Sequence, residues 1–207
     1  RLKKNKAKTG VLMSRRILIL QLARLGDILQ TLPAIQGLKK ADPTCHISFV
    51  CRSTFADATL LSPYIDERIV FPTETILGAP TPETKLKNLK AWLASEILVH
   101  QEFDELYNFT FSESSSYLAT LIPAKIKKGM YRGKDEALVI EDGWSQYVLS
   151  QIQGENLNLL HLNDVFARIA NTKSAIWPLD LLEPVIDLSH LNLPENKKLI
   201  GVQVTAS

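Results

Sequence analysis

The sequence predicts an α/β protein built on a parallel sheet with helices on both faces, and three observations lead there. Aliphatic runs of strand length recur at residues 17–22, 46–51, 67–71 and 105–109. Stretches with apolar residues at helical spacing separate them, and strand-helix alternation of this kind closes through right-handed crossovers into a parallel sheet. With 207 residues, 45% of them hydrophobic and 22% charged, the chain has enough core material for such a sheet.

The first run, Ile17-Leu18-Ile19-Leu20-Gln21-Leu22, is nearly unbroken aliphatic and suits a strand buried on both faces. It passes through Ala23-Arg24-Leu25-Gly26 to Asp27, after which Ile28, Leu32 and Ile35 recur at helical spacing. Pro33 either kinks a helix that begins near Asp27 or stands near the start of a helix preceded by a short turn. Asp42-Pro43 breaks the pattern, residues 46–51 form the second strand, and Ser53 caps a short helix through Leu61. Residues 67–71 form the third strand. Residues 72–84, with Pro72, Gly78, Pro80 and Pro82, read as a loop long enough to cover a site. Leu86, Leu89, Trp92, Leu93 and Ile97 predict an amphipathic helix over residues 82–100. A fourth strand at 105–109 leads into Ser112-Glu113-Ser114-Ser115-Ser116, a serine-rich helix start. Short strands follow at 125–130 and 138–140, then helices at 147–152 and 157–169.

Charge and composition exclude several function classes. Residues 1–16 carry seven of the 24 basic residues and no acid, which leaves 17 against 22 acidic residues in the body. That arm reads as a disordered leader; a weaker reading makes it a tether to anionic lipid. Aromatic residues do not interleave with it, which argues against nucleic acid as a partner. No run approaches the roughly 20 apolar residues of a membrane span, and no signal-peptide core opens the chain, so a cytoplasmic location is expected. Cys45 and Cys51 lack CxxC or Cys/His ligand spacing and read as reduced thiols. The phosphate-binding loop G-x-x-x-x-G-K-[ST], the G-x-G-x-x-G turn, H-E-x-x-H and G-x-S-x-G are all absent, and His46, His100, His161 and His190 are scattered. Asn108-Phe109-Thr110 matches a glycosylation acceptor only by chance in a chain without a secretion signal.

The turn after the first strand remains as the candidate site, because ligands of open α/β sheets sit at the carboxyl ends of strands. Asp27 there is either a helix N-cap or a functional carboxylate, on a backbone that Gly26 lets turn sharply and lets a ligand approach. The serine-rich start at 112–116 offers hydroxyls and free N–H groups at another strand end, with ordinary capping as the alternative.

The run from Ile17 to Lys40, with Arg24-Leu25-Gly26-Asp27, then Leu32-Pro33-Ala34 and Leu38, resembles the N-terminal signature of the heptosyltransferases of glycosyltransferase family 9. Lys128-Gly129-Met130 and His161 extend the similarity loosely. The resemblance implies a Rossmann-like, acceptor-side domain, the N-terminal domain of a GT-B fold, in an inverting enzyme that moves heptose from ADP-heptose to lipopolysaccharide core. It implies no cofactor and no catalytic metal. By the same resemblance Asp27 is the general base, Arg24, Gly26, Ser112 and Ser114 bind acceptor, and Thr205 and Ser207 begin a donor-phosphate loop. The partners implied are the nucleotide-sugar and a glycan or lipid-linked acceptor, met at the cytoplasmic face of the inner membrane. Thr73-Glu74-Thr75-Ile76 stands where family members acting on phosphorylated inner core carry basic residues, with Arg52, Arg68 and Arg132 as the substitutes available.

The organisation expected from this is a basic leader at 1–12, the acceptor-side domain at 13–171, an interdomain linker at 172–198 and the start of a donor domain at 199–207. Such a piece would be inactive alone. The competing expectation is a non-catalytic Rossmann-like binding or scaffolding module in which Asp27 only caps its helix.

Overall fold

The computed structural model describes residues 14–154, 160–172, 178–183, 198 and 200. Its centre is a five-stranded parallel sheet in the order β3-β2-β1-β4-β5, formed by β1 (Arg16–Leu20), β2 (His46–Arg52), β3 (Glu67–Phe71), β4 (Phe103–Asn108) and β5 (Ala124–Gly129). The chain steps outward from β1 to β3 and then returns to the other side of β1, so the strand order reverses between β1 and β4. In open α/β sheets that reversal opens a crevice at the carboxyl ends of the two strands.

Alternation along β1 divides the core in two. Ile17 and Ile19 face α1 (Leu25–Ala41), α5 (Gly143–Gln153) and α6 (Leu162–Ile169), whereas Leu18 and Leu20 face the layer of α3 (Pro82–Trp92) and α4 (Glu113–Leu121). All four side chains are fully buried, as the unbroken aliphatic run requires of a central strand. The amino edge of the sheet is fixed by charge. Arg15 donates from Nε and Nη2 to the Glu105 carboxylate at 2.9 and 2.6 Å, and the Arg16 N–H donates to Asp104 at 2.8 Å.

Several sequence expectations are corrected. β1 ends at Leu20, and Gln21 turns out of the ladder with its N–H still bonded to Val50 O at 2.9 Å. α1 begins at Leu25, two residues before Asp27, and continues through Pro33. One missing N–H costs about 3 kcal/mol. Burial of Ile28, Leu32, Ile35 and Leu38 offsets it, at about 1.5–3 kcal/mol each. The 3-10 helix Ser53–Leu61 is not capped by Ser53, whose hydroxyl donates instead to Glu74 at 3.1 Å. Residues 72–84 are not a covering loop: they hold α2 (Thr73–Leu77) and the start of α3, whose first turn is capped by Thr81 accepting from Thr84 N. α3 stops at Trp92, where the indole N–H donates to Val70 O at 2.9 Å, and the chain reaches β4 through a π turn (Leu93–Ile97) and a 3-10 turn (Leu98–His100). α5 starts four residues before the predicted helix because Asp142 accepts from Ser145 N at 2.9 Å. The 138–140 run forms a small antiparallel hairpin, β6 (Tyr131–Arg132) with β7 (Leu138–Val139), apart from the main sheet.

Residues 178–183, within the stretch read as a linker, lie back on the domain. The buried Gln36 side chain donates to Pro178 O at 3.0 Å and accepts from Asp180 N at 2.8 Å, and Leu182 N donates to Leu61 O. The basic arm at 1–12, the predicted helical residues 157–159, Thr205 and Ser207 lie outside the described residues. No helix among the described residues is long and apolar enough to cross a membrane.

Candidate functional site

The turns leaving β1 and β4 are tied to each other at the switch point. Phe109 N donates to Leu20 O at 2.9 Å, and Leu22 N donates to the Thr110 hydroxyl at 2.8 Å. The fully buried Gln21 side chain bridges the turns, donating to Phe109 O at 3.4 Å and Thr31 Oγ1 at 3.3 Å and accepting from Ala23 N at 3.2 Å. Behind them Asn108 donates to Ser115 Oγ and Met130 O and accepts from Thr110 N. The Asn-Phe-Thr triplet is therefore a bracket for the turn, and its asparagine, with no exposed surface, cannot carry a glycan.

These turns border a cleft of about 360 Å³. Ala23 and Asp27 contribute from the β1–α1 side and Phe109, Thr110 and Phe111 from the β4–α4 turn. Tyr147, Val148, Gln151 and Ile152 of α5, with Leu162, Val165 and Phe166 of α6, close the far wall. Phe109 stacks on Phe166 at 4.6 Å between ring centroids. Phe111 has φ 49°, a left-handed conformation that a bulky residue adopts only when the surrounding structure holds it there. Gln151 Oε1 is buried without a hydrogen-bond partner.

Asp27 is the only carboxylate among the described residues that line the cleft. It is the third residue of α1 and not its N-cap, a position held by Arg24. Its Oδ2 accepts from Arg24 N at 3.1 Å, and its own carbonyl accepts from the Thr31 hydroxyl at 2.8 Å. The carboxylate is held through that one oxygen, and its Oδ1 has no hydrogen bond among the described residues. Arg24 and Gly26 are exposed on the same turn. A Cβ at Gly26 would meet nothing within 4 Å and no positive φ is involved, so the turn itself does not need that glycine. Ser112 and Ser114 do not line the cleft: Ser112 Oγ accepts from Ser115 N at 3.2 Å as the cap of α4, and Ser114 Oγ lies 3.3 Å from it.

The arginines offered as acceptor contacts are engaged elsewhere or outside the cleft. Arg68 donates to Thr59 O at 3.4 Å, and Arg132 donates to Ser116 Oγ at 3.1 Å and lies over the Tyr117 ring. Arg52 is exposed at the end of β2 and does not line the cleft. No group of three His, Cys, Asp or Glu among the described residues is placed to hold a metal ion. Sequence reading missed Gln21, Thr110 and Phe111. The first two carried a signal, since a polar residue closing a buried aliphatic run has to find partners in the turn.

No family model matches the sequence, and no curated protein matches it significantly. Solved structures do match its fold. The Escherichia coli heptosyltransferase WaaC, solved with ADP-2-deoxy-2-fluoro heptose, superposes with TM-score 0.56 at 16% identity over 76% of this chain and 48% of its own. A glycosyltransferase of family 9 from Veillonella parvula gives 0.56 at 22% identity over 78% of this chain and 42% of its own. The chain shares the fold of about half of each of these glycosyltransferases. E. coli ADP-heptose lipopolysaccharide heptosyltransferase II, at 14% identity and TM-score 0.53, is matched over 87% of this chain and 51% of its own. The chain thus spans about half the length of the solved structures it matches. Its parallel sheet with helices around it is the Rossmann-like half of their GT-B fold, and its cleft lies at the strand-order reversal of that half.

Proposed function

We propose that this chain is the acceptor-side domain of an inverting, metal-independent glycosyltransferase. In this reading it moves heptose from ADP-heptose onto a hydroxyl of a lipopolysaccharide-core or related envelope glycan, and Asp27 is the general base. The observation that supports it most directly is the carboxylate itself: one oxygen held by Arg24 N–H, the residue facing a cleft at the strand-order reversal, on a fold shared with heptosyltransferases. An acceptor hydroxyl within about 2.6–3.2 Å of the free oxygen loses its proton to Asp27 as its oxygen bonds to the anomeric carbon. The bond from that carbon to the ADP oxygen breaks on the opposite side, and ADP departs with the electron pair. Donors are needed for the developing phosphate charge, a role that the family resemblance gives to Thr205 and Ser207.

The test is ADP release from ADP-heptose, with acceptor, by the full polypeptide that contains this chain. Asp27→Asn keeps an oxygen for Arg24 N–H and removes the base, so turnover is expected to fall by about 10²–10⁴ with the fold intact. Undiminished turnover refutes the base. A natural polypeptide that ends at Ser207 refutes the transferase and favours a binding module, in which Asp27 only ties down the first turn of α1.

A further inference from the structure

A base works only at a set distance from the hydroxyl it deprotonates, and Asp27 stands on a turn that packing does little to hold: Arg24, Leu25 and Gly26 before it are all exposed. Its local bonds stay within that turn, its N–H donating to Arg24 O at 3.1 Å and its Oδ2 accepting from Arg24 N. They orient the carboxylate in the turn but do not fix the turn against the opposite wall. The bond from Leu22 N to Thr110 joins the two turns ahead of α1. Gln21, fully buried beneath them, reaches into the helix itself.

The Gln21 amide touches three segments at once. Oε1 accepts from Ala23 N in the β1–α1 turn, and Nε2 donates to Phe109 O in the β4–α4 turn and to Thr31 Oγ1 in α1. The one hydroxyl proton of Thr31 goes to Asp27 O at 2.8 Å, which leaves its oxygen to accept from Gln21. A threonine that bonds back to the carbonyl four residues before it is ordinary in a helix. Here the same hydroxyl also receives an amide that holds the opposite turn. Phe109 O, Gln21, Thr31 and Asp27 O therefore form one hydrogen-bonded chain from wall to wall under the cleft. Only one orientation of the amide serves, because turned over it would set Oε1 against Phe109 O and Nε2 against the Ala23 N–H. A carboxylate in its place would lose both donations at a buried site. We propose that Gln21 is a positioning residue for the base, resting on the reading of Asp27 as that base: through Thr31 it holds the first turn of α1 in register with the β4–α4 turn.

A cycle of substitutions in the full polypeptide that contains this chain tests this through ADP release. Thr31→Val keeps the shape of a fully buried side chain and removes the hydroxyl. It is expected to lower kcat about tenfold with KM for ADP-heptose nearly unchanged, since a displacement on the order of 1 Å costs up to about 10²-fold. Thr31→Ser restores the hydroxyl and should recover most of that loss, and Gln21→Glu should behave as Thr31→Val does. In an Asp27→Asn background neither Thr31→Val nor Gln21→Glu should lower kcat further, a coupling that lost stability alone does not produce. Ile47→Val, a core change in β2 away from the turns, is the stability control and should leave kcat as it is. Nuclear magnetic resonance spectra of the 207-residue chain report the brace directly: Thr31→Val is expected to move the amide signals of Asp27, Phe109 and Thr110 together. Full kcat in Thr31→Val, an equal loss in both backgrounds, or shifts confined to α1 overturns the proposal. Failure of the transferase reading looks different. A parent that releases no ADP, or undiminished turnover in Asp27→Asn, removes the base and the positioning role with it, while joint movement of the three amide signals still upholds the brace.

Discussion

Gly129→Ala is the substitution that tests how the fold holds the cleft. Gly129 ends β5 with φ 89°, and an added Cβ would stand 2.1 Å from Asn108 O, well inside contact distance. The carbonyl it strikes belongs to the residue paired with it across β4 and β5. The left-handed backbone alone costs an alanine about 1–3 kcal/mol. The clash cannot be relieved by a side-chain rotation, since both partners are backbone, so β5 must shift and the Asn108 bond to Met130 O at 2.7 Å weakens with it. One lost hydrogen bond to a buried amide adds about 1 kcal/mol or more. The sum is about 3 kcal/mol, which for a chain of this size lowers Tm by roughly 6–12 °C. Gly143→Ala is the control: nothing lies within 4 Å of its added Cβ, and at the first residue of α5 it should change stability by no more than about 1 kcal/mol. Thermal unfolding of both variants by circular dichroism provides the comparison. Equal melting temperatures for Gly129→Ala and the parent would refute the argument, and with it the idea that Asn108 anchors the β4 turn from behind.

Three further outcomes follow from the same structure. Gly26→Ala should leave stability unchanged or raise it by up to about 1 kcal/mol in thermal unfolding, because the position is open and helical. Burial by itself would raise the Asp66 carboxyl, but Lys39 and the Ile47 N–H outweigh it and hold it below the usual carboxylate range. Bonds from Lys125 and the Arg16 N–H hold Asp104 low as well. The unfolded chain therefore takes up these protons at higher pH than the native one. The stability they contribute is present above the ordinary aspartate range and is lost as pH falls through and below it. Urea midpoints measured from pH 6 to 3 should decline less steeply in Asp66→Asn. Burial pushes the Cys51 thiol up to about 11 and raises Cys45 too, so neither should react with a thiol reagent at pH 8 until the protein unfolds.

The strands were legible because a buried parallel strand is written in residue type alone. Glu67–Phe71 falls where it was read, and the other principal strands shift by one or two residues at their ends. Helix boundaries were less legible because caps are set by side chains that compete for the same N–H groups. Asp142 outdid the hydrophobic pattern at the start of α5, and Ser53 found Glu74 instead of its own helix. Residues 72–84 misled for a related reason: proline suggests a break, yet Pro82 stands at the first position of α3, where its missing N–H costs nothing.

The site divides along the same line. Asp27 could be named from sequence because it stands in a single strand-turn-helix unit. The far wall could not, because Phe111, Val148, Gln151 and Phe166 come from segments up to 55 residues apart, joined only by the packing of α5 and α6 on α1. None of those residues carries a chemical signature alone; their meaning is collective. A carboxylate at a strand end is common to many clefts. The residue that sequence singled out is placed by one local unit, and the residues it passed over are placed by the packing of helices distant in the chain.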